Sequence, residues 1–450
     1  MKRIIAILAA LTATSLANAG DTNWSWDGNT RIRHEMHSNP VGTETEGSLA
    51  TKDYAFTEQK TTLGMNFSRG EKFKGKISLI HAFNWGDDGA ANAAGEFNAA
   101  AGTAASASGH PNGIADQQNL LLVNEAWGWW GMSNSFSMAA GRGGITVADG
   151  KVISTNSDEV TPTAFEGLRL MYDHEMVGLT FYAIKVNDED NGAGGGAGDF
   201  TNDPGTEFLG LSADIKGMPE VVKTLNVHVF QVNVDEVGAT AGMNLMSIGV
   251  AAGGNIMGGL SYTANFETQS GDTTTNAVET DLSGTMMDFS VKYAMPEMMG
   301  FWVRAGYHSD TGNDTTTATE AEGYNPLFYD RAANSGVMQV IEWGNLTSMN
   351  LGVGFTAMDL AFAVNYMTFA ETEEATGPNA GKNAGAFAGF ANSATSDDIG
   401  TEMDLSVSGK CPVTDLNLSL IYSMFTPGDQ FTAPNAETYS MMRLQAGMNF

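Results

Sequence analysis

Along most of this chain, apolar and polar residues trade places with a period of two. In 73–85, Phe73, Ile77, Leu79, Phe83 and Trp85 share one parity, while Lys74, Lys76, Ser78 and Asn84 share the other. The same holds for Ile256, Leu260, Tyr262, Ala264 and Phe266 against Ser261, Thr263, Asn265 and Glu267. It holds again for Met358, Leu360, Phe362, Val364 and Tyr366 against Asp359, Ala361, Ala363 and Asn365. Such alternation specifies strands with one apolar and one polar face. Helical periodicity is absent. The pattern runs to the last residue: Met442, Leu444, Ala446, Met448 and Phe450 alternate with Met441, Arg443, Gln445, Gly447 and Asn449. Termini are normally frayed and polar, so an apolar, aromatic end predicts a strand held in an ordered sheet.

Connections alternate as well. Short ones, near Arg69, Met132, His174, Pro219, Gly253, Pro296, Ala357 and Pro412, separate longer glycine-rich, acidic ones at 37–53, 86–117, 143–163, 187–205, 235–240, 267–281, 309–336, 370–399 and 426–438. Nine long and eight short connections join eighteen strands. Misreading the short 235–240 connection would leave sixteen. The budget of roughly 24 residues per strand and connection suits membrane strands of ~9–11 residues. A soluble sandwich would also alternate. The long-short rhythm, the aromatics near strand ends (Trp24, Trp26, Trp85, Tyr172, Tyr293, Trp302, Tyr307, Phe450) and a polar parity with few large apolar groups predict an all-β, antiparallel transmembrane barrel instead. Both termini fall on the short-turn, periplasmic side. An open edge in lipid leaves backbone groups unsatisfied, so the last strand must pair with the first.

Residues 1–19 read as a cleaved signal peptide: Lys2 and Arg3, an apolar run from Ile4 to Leu11, and Ala17-Asn18-Ala19 as the cleavage site. Residues 20–450 then form a single barrel domain in the bacterial outer membrane of a Gram-negative cell. Cys411 is the one cysteine, which excludes an intrachain disulfide. Removing Lys2 and Arg3 from 22 basic residues leaves 20 against 52 acidic ones, without a basic stripe, which argues against nucleic acid as a partner. The expected partners are outer-membrane lipid and lipopolysaccharide, the barrel-assembly machinery and small solutes. Phe450 resembles the terminal aromatic by which that machinery recognises its clients, and is read as an assembly signal.

Four stretches carry a family resemblance: RIRHE in the first strand, NEAWGWWGMSNSFSMAAGRGG (124–144), FEGLRLMYD (165–173) and GTEMDLSVSGKCPVTDLNLSLIYSMFTPGD (400–429). Together they resemble the alginate-export type of outer-membrane porin. The resemblance implies an eighteen-stranded barrel with a charged lumen and a channel role.

Parity also assigns the charges. Arg31, Arg33 and Glu35 stand opposite Trp24, Trp26 and Ile32 and face inward. Lys60, Lys74, Lys76, Arg169, Lys292, Arg304 and Arg443 follow, with Glu125, Asp288, Glu402 and Asp404. A lipid-facing charge at mid-membrane would cost ~2–4 kcal/mol. The acidic surplus sits in the long connections. Two readings of the inward set stand: salt bridges that tie strands together, or an arginine-lysine ladder that guides anions. Asp188 and Asp190, in a glycine-rich acidic stretch, are a weak Ca²⁺ candidate without the distal bidentate Glu; a solvated loop is the plainer reading, and no other cofactor is expected. His308 and Ser309 are adjacent and point to opposite faces, the histidines lack metal spacing, and no catalytic set emerges. The sequence thus predicts a passive porin for small hydrophilic, anionic solutes. The alternatives are an export channel for an anionic polysaccharide and a structural or adhesive surface barrel.

Overall fold

The computed structural model describes residues 22–38, 53–85, 120–159, 162–187, 205–235, 242–275, 278–313, 320–330, 332–341, 343–373, 396–431 and 437–450. Residues 1–21, with the expected signal peptide, lie outside the described residues, as do Asp188 and Asp190.

Eighteen strands make the wall: β1 (Thr22–Ser38), β2 (Tyr54–Arg69), β3 (Phe73–Asn84), β4 (Leu120–Gly131), β5 (Phe136–Gly143), β6 (Phe165–Asp173), β7 (Val177–Asn187), β8 (Thr206–Ile215), β9 (Thr224–Val234), β10 (Gly242–Met257), β11 (Leu260–Thr275), β12 (Val278–Met295), β13 (Phe301–Asp310), β14 (Leu346–Ala357), β15 (Leu360–Glu371), β16 (Asp398–Lys410), β17 (Asn417–Pro427) and β18 (Tyr439–Asn449). Each pairs antiparallel with the next, and β18 returns to β1 over Asn29↔Asn449 to Ser38↔Ser440. The sixteen-strand alternative falls, because β9 and β10 are separate strands in register from Met243↔Val234 onward. A two-residue segment, Glu320–Ala321, adds a parallel bridge to β12 outside this cycle.

Closure explains the ordered C-terminus. The Phe450 amide donates to the Gly28 carbonyl at 2.9 Å, and the Gly28 amide donates to the Phe450 carbonyl at 2.8 Å. A Cβ on Gly28 would stand 2.6 Å from the Phe450 ring, so the missing side chain is what lets the ring lie flat on β1. Tight turns join strands at the opposite end from the long loops. Between β14 and β15 the turn is Met358-Asp359, both at positive φ (54° and 61°), the left-handed geometry that matches hairpin twist.

Side chains obey the pleat. On β1, Trp26 is 65% exposed on the outer face, while Arg33, on the inner parity, is 2% exposed. Two expectations need correction. Residues 267–275 and 278–281, expected within a long connection, are strand: β11 and β12 stay paired out to Thr275↔Val278, carried past the apolar belt by β-branched threonines. Trp302 is not a girdle residue. It shares the inner parity of Arg304 and His308, and its ring fills the space left by Gly354 (2.6 Å from a would-be Cβ) and Gly352 (3.1 Å).

The barrel is not hollow. Segment 144–159 packs Ile145, Val147, Val152 and Ile153 onto inward Phe165, Tyr182, Ile184, Phe208 and Phe230. Segment 320–343 packs Met338, Val340, Ile341 and Trp343 onto inward Met286, Met367, Phe369, Phe425 and Met441. The two segments meet: the Ser154 amide donates to the Phe328 carbonyl (2.6 Å) and the Asp330 amide to the Gly150 carbonyl (2.8 Å). These inward aromatics add large apolar groups to a parity expected to hold few of them. They serve as docking patches for chain folded inside the barrel.

Candidate functional site

The inner wall collects the sequence-predicted charges into three groups. The first lies at the β18–β1–β2 seam. Arg31 donates to the Glu58 carboxylate at 2.6 Å and bridges to Asp158 at 3.2 Å. Arg33 reaches Asp158 at 3.4 Å and Glu35 at 3.8 Å, and its Nε donates to the Gln445 amide oxygen at 3.1 Å. Arg443 donates to Glu35 at 2.6 Å. Lys60 donates to the carbonyls of Ser157 (3.0 Å) and Glu159 (2.5 Å). Register brings these together: Arg31↔Lys60 and Arg33↔Glu58 on one side, Glu35↔Arg443 on the other. Every cation of the group is below a tenth exposed, and segment 144–159 is laid across it. Two members escaped the sequence reading. Glu58 shares the parity of Lys60, a signal that was available. His37 sits between Glu35 (3.0 Å) and the Tyr439 hydroxyl (2.5 Å), the next inward position after Glu35.

The second group is acidic. Glu402 and Asp404 occupy successive inward positions on β16, are buried, and make no salt bridge among the described residues. Glu402 accepts from the Met338 amide at 3.1 Å, and Asp404 accepts from the Ser423 hydroxyl at 2.6 Å. They anchor the inward segment through its backbone. Gly336, at φ 77°, lies against the Glu402 carboxylate where a side chain would collide. Asp288 plays a similar part at the junction of the two segments. It accepts from Lys151 (3.2 Å) and Asn334 (2.7 Å) and faces His308, which also meets Asp310 at 3.1 Å. On the far wall His228 pairs with buried Glu267, another contact that parity alone did not single out.

The third group stands between that junction and the short turns. Lys292 is two inward positions below Asp288 on β12, and Arg304 two below His308 on β13; the two face each other in register. Lys292 Nζ stands 5.0 Å from the Trp302 ring, a cation–π distance. Lys74 repeats this over Trp129 at 5.2 Å. Arg169 donates to the Gly144 carbonyl at 3.2 Å. Lys74, Arg169, Lys292 and Arg304 make no salt bridge among the described residues, and Lys74 and Lys292 are exposed. Lys76 differs, since it pairs with Glu125 at 2.7 Å. Glu125 thus faces inward, beside a bulge at Asn124 that shifts the β4 register. The arrangement offers a positive, partly aromatic surface on one side of a constriction.

Comparison with known proteins agrees with this geometry. A family model described as alginate export matches residues 56–444. No curated protein sequence matches the chain. Among solved structures, Pseudomonas aeruginosa OccD3 (OpdP) is similar at TM-score 0.56 and 14% identity, over 95% of this chain and 91% of that one. Pseudomonas aeruginosa OccK2 (OpdF), solved in complex with glucuronate, is similar at TM-score 0.58 and 12% identity, over 95% and 96%. Pseudomonas aeruginosa OccK9 (OpdG) is similar at 0.58 and 14%, over 95% and 98%.

Proposed function

Because the chain belongs to the alginate-export family, we propose that it is an integral outer-membrane porin that passes small hydrophilic anions by passive diffusion, with the short turns in the periplasm. Transport rather than catalysis is its activity. The observation that carries this reading is the set of inward cations that make no salt bridge among the described residues, Lys74, Arg169, Lys292 and Arg304, on the periplasmic side of the loop junction. Apart from Asp214, exposed near the β8–β9 turn and bonded to Asn226, the inward acids of the described strands are buried or paired, so the field that reaches a solute beside Lys292 and Arg304 is positive. Low-dielectric walls focus it. The fold shared with a structure solved with glucuronate supports a carboxylated solute.

Family membership also supports a second reading, export of an anionic polysaccharide. The two hydrogen-bonded inward segments weigh against it, since a polymer needs a continuous thread path. Planar-bilayer recording distinguishes these. Discrete channels with an anion-selective reversal potential, blocked transiently by monomeric uronates, are expected. Long-lived block by uronate oligomers alone would favour the exporter. Purified, folded protein without discrete conductance would refute both and leave a surface role.

A further inference from the structure

Below the loop junction, register lays one inward row across neighbouring strands: Lys292 on β12, Arg304 on β13, Gly352 on β14, Asn365 on β15 and Asp404 on β16. The row runs from cations, across a glycine, to an amide and a carboxylate. Asn350 stands one inward position above Gly352, and Trp302 one below Arg304. The floor between them is bare. A Cβ on Gly306 would stand 2.7 Å from the Asn350 amide nitrogen, and one on Gly352 would stand 2.6 Å from the Asn365 amide oxygen. Glycine therefore lets both amides and the Trp302 ring lie against the wall.

The polar groups of this patch are not used by the protein. The amide oxygens of Asn350 and Asn365 and the Nε of Arg304 are buried and have no hydrogen-bond partner among the described residues. Asn350 is 7% exposed. Buried polar groups are normally paired, and here three on adjacent strands are not. Asp404 differs, since it accepts from Ser423. A solute with a carboxylate at one end and hydroxyls at the other would satisfy the set. Its carboxylate meets Lys292 and Arg304. Strands stand ~4.8 Å apart, so the backbones of Arg304 and Asn365, two strands apart, are separated by about 10 Å, a span that a six-carbon acid fits. Turned toward the lumen, each amide offers a hydroxyl both a donor and an acceptor. Trp302, with Lys292 Nζ 5.0 Å from its ring, gives the carbon chain a flat apolar face. Asp404, at the far end of the row, opposes a second carboxylate. We propose that this patch recognises hydroxylated monocarboxylates, with Lys292 and Arg304 taking the carboxylate and Asn350 and Asn365 reading the hydroxyls. The proposal deepens the porin reading and rests on it.

The test records single channels of the purified full-length barrel in planar bilayers. Gluconate and hexanoate, six-carbon monoanions that differ in their hydroxyls, are added on one side. In the wild type both should interrupt the chloride current, and gluconate should stay about tenfold longer, the contribution of one or two net hydrogen bonds. Asn350→Leu and Asn365→Leu should each shorten gluconate events toward the length of hexanoate events. Lys292→Gln should shorten the events of both solutes alike. Leucine matches the amide in size, heat-modifiable mobility confirms folding, and the wild-type comparison decides even where a variant fails to fold. A wild-type channel that is anion-selective in chloride but holds gluconate no longer than hexanoate would overturn the site and leave the porin reading standing. So would a gluconate preference that survives both leucine changes. A folded barrel without anion-selective conductance would overturn both.

Discussion

Two stretches of the same inner wall carry similar charges and treat them in opposite ways. At the β18–β1–β2 seam, Arg31, Arg33, Lys60 and Arg443 are spent on Glu58, Glu35, Asp158 and the carbonyls of segment 144–159. On β12–β13, Lys292 and Arg304 stand below the loop junction with an aromatic ring and, among the described residues, no carboxylate in salt-bridge reach. Parity treats all six alike. What separates them is whether a partner was folded across them. The seam joins the two ends of the chain, where no short turn pins the register. Its cations act as cross-links, and those of β12–β13 remain available to solutes.

The largest effect expected from this contrast is at Glu35, which serves Arg443, Arg33 and His37 together. Glu35→Gln leaves buried cations uncompensated, a change that costs about 3–5 kcal/mol. Urea unfolding in detergent micelles, read by the heat-modifiable band, should show that loss, whereas Lys292→Gln should hold its midpoint. Equal midpoints for the two variants would erase the distinction between the regions.

A smaller effect tests the seam from its lipid side. The Phe450 ring covers Gly28, and its backbone closes the last hydrogen-bond pair. Phe450→Ser keeps the backbone and strips the ring, which is 59% exposed, so about 1 kcal/mol of burial is lost. Secretion should persist while the folded fraction in the outer membrane falls. An unchanged folded fraction would show that the terminal aromatic is neither a seam element nor an assembly signal.

How far the sequence shows these regions follows from what alternation encodes. The number of strands, closure through β18 and the facing of Arg33 or Arg443 all derive from a local period of two, which a lipid exterior enforces residue by residue. The inward aromatics Phe208, Phe230, Phe369 and Phe425 depart from a polar parity because they pack on residues of inward-folded loops that no local period encodes. Asp158 was legible only as loop acid, and nothing local says that it lands on Arg31 and Arg33. Trp302 looked like a girdle residue because strand-end aromatics usually are; the glycines that receive its ring lie on the next strand.

Asp158 also sharpens the comparison at a lower level. Its side chain is 74% exposed although both arginines it meets are buried. Solvent screens such contacts to about 0–1 kcal/mol. Asp158→Asn should shift the unfolding midpoint slightly and raise open-channel noise, because the loop's carbonyl contacts to Arg31 and Lys60 persist. A loss as large as that of Glu35→Gln would mean that the loop, not the strand register, holds the seam.

The last prediction concerns permeation, where no stability change is expected. The acidic surplus lies in the long connections of the sequence, and exposed charges are screened over a Debye length of about 8 Å. Lys292 and Arg304 stand next to the junction of the two inward segments, where passing ions are confined. Their field should outweigh the distant acidic surplus and make the wild-type channel anion-selective under a salt gradient. Lys292→Gln and Arg304→Gln should move the reversal potential toward zero, and the double variant further still. Lys60→Gln should move it little, since that ammonium is already held by the carbonyls of Ser157 and Glu159. A shift at Lys60 as large as that at Lys292 would place the selecting charges at the seam and invert the assignment of the two regions. Cation selectivity unmoved by all three changes would show that the acidic mouth governs the pore.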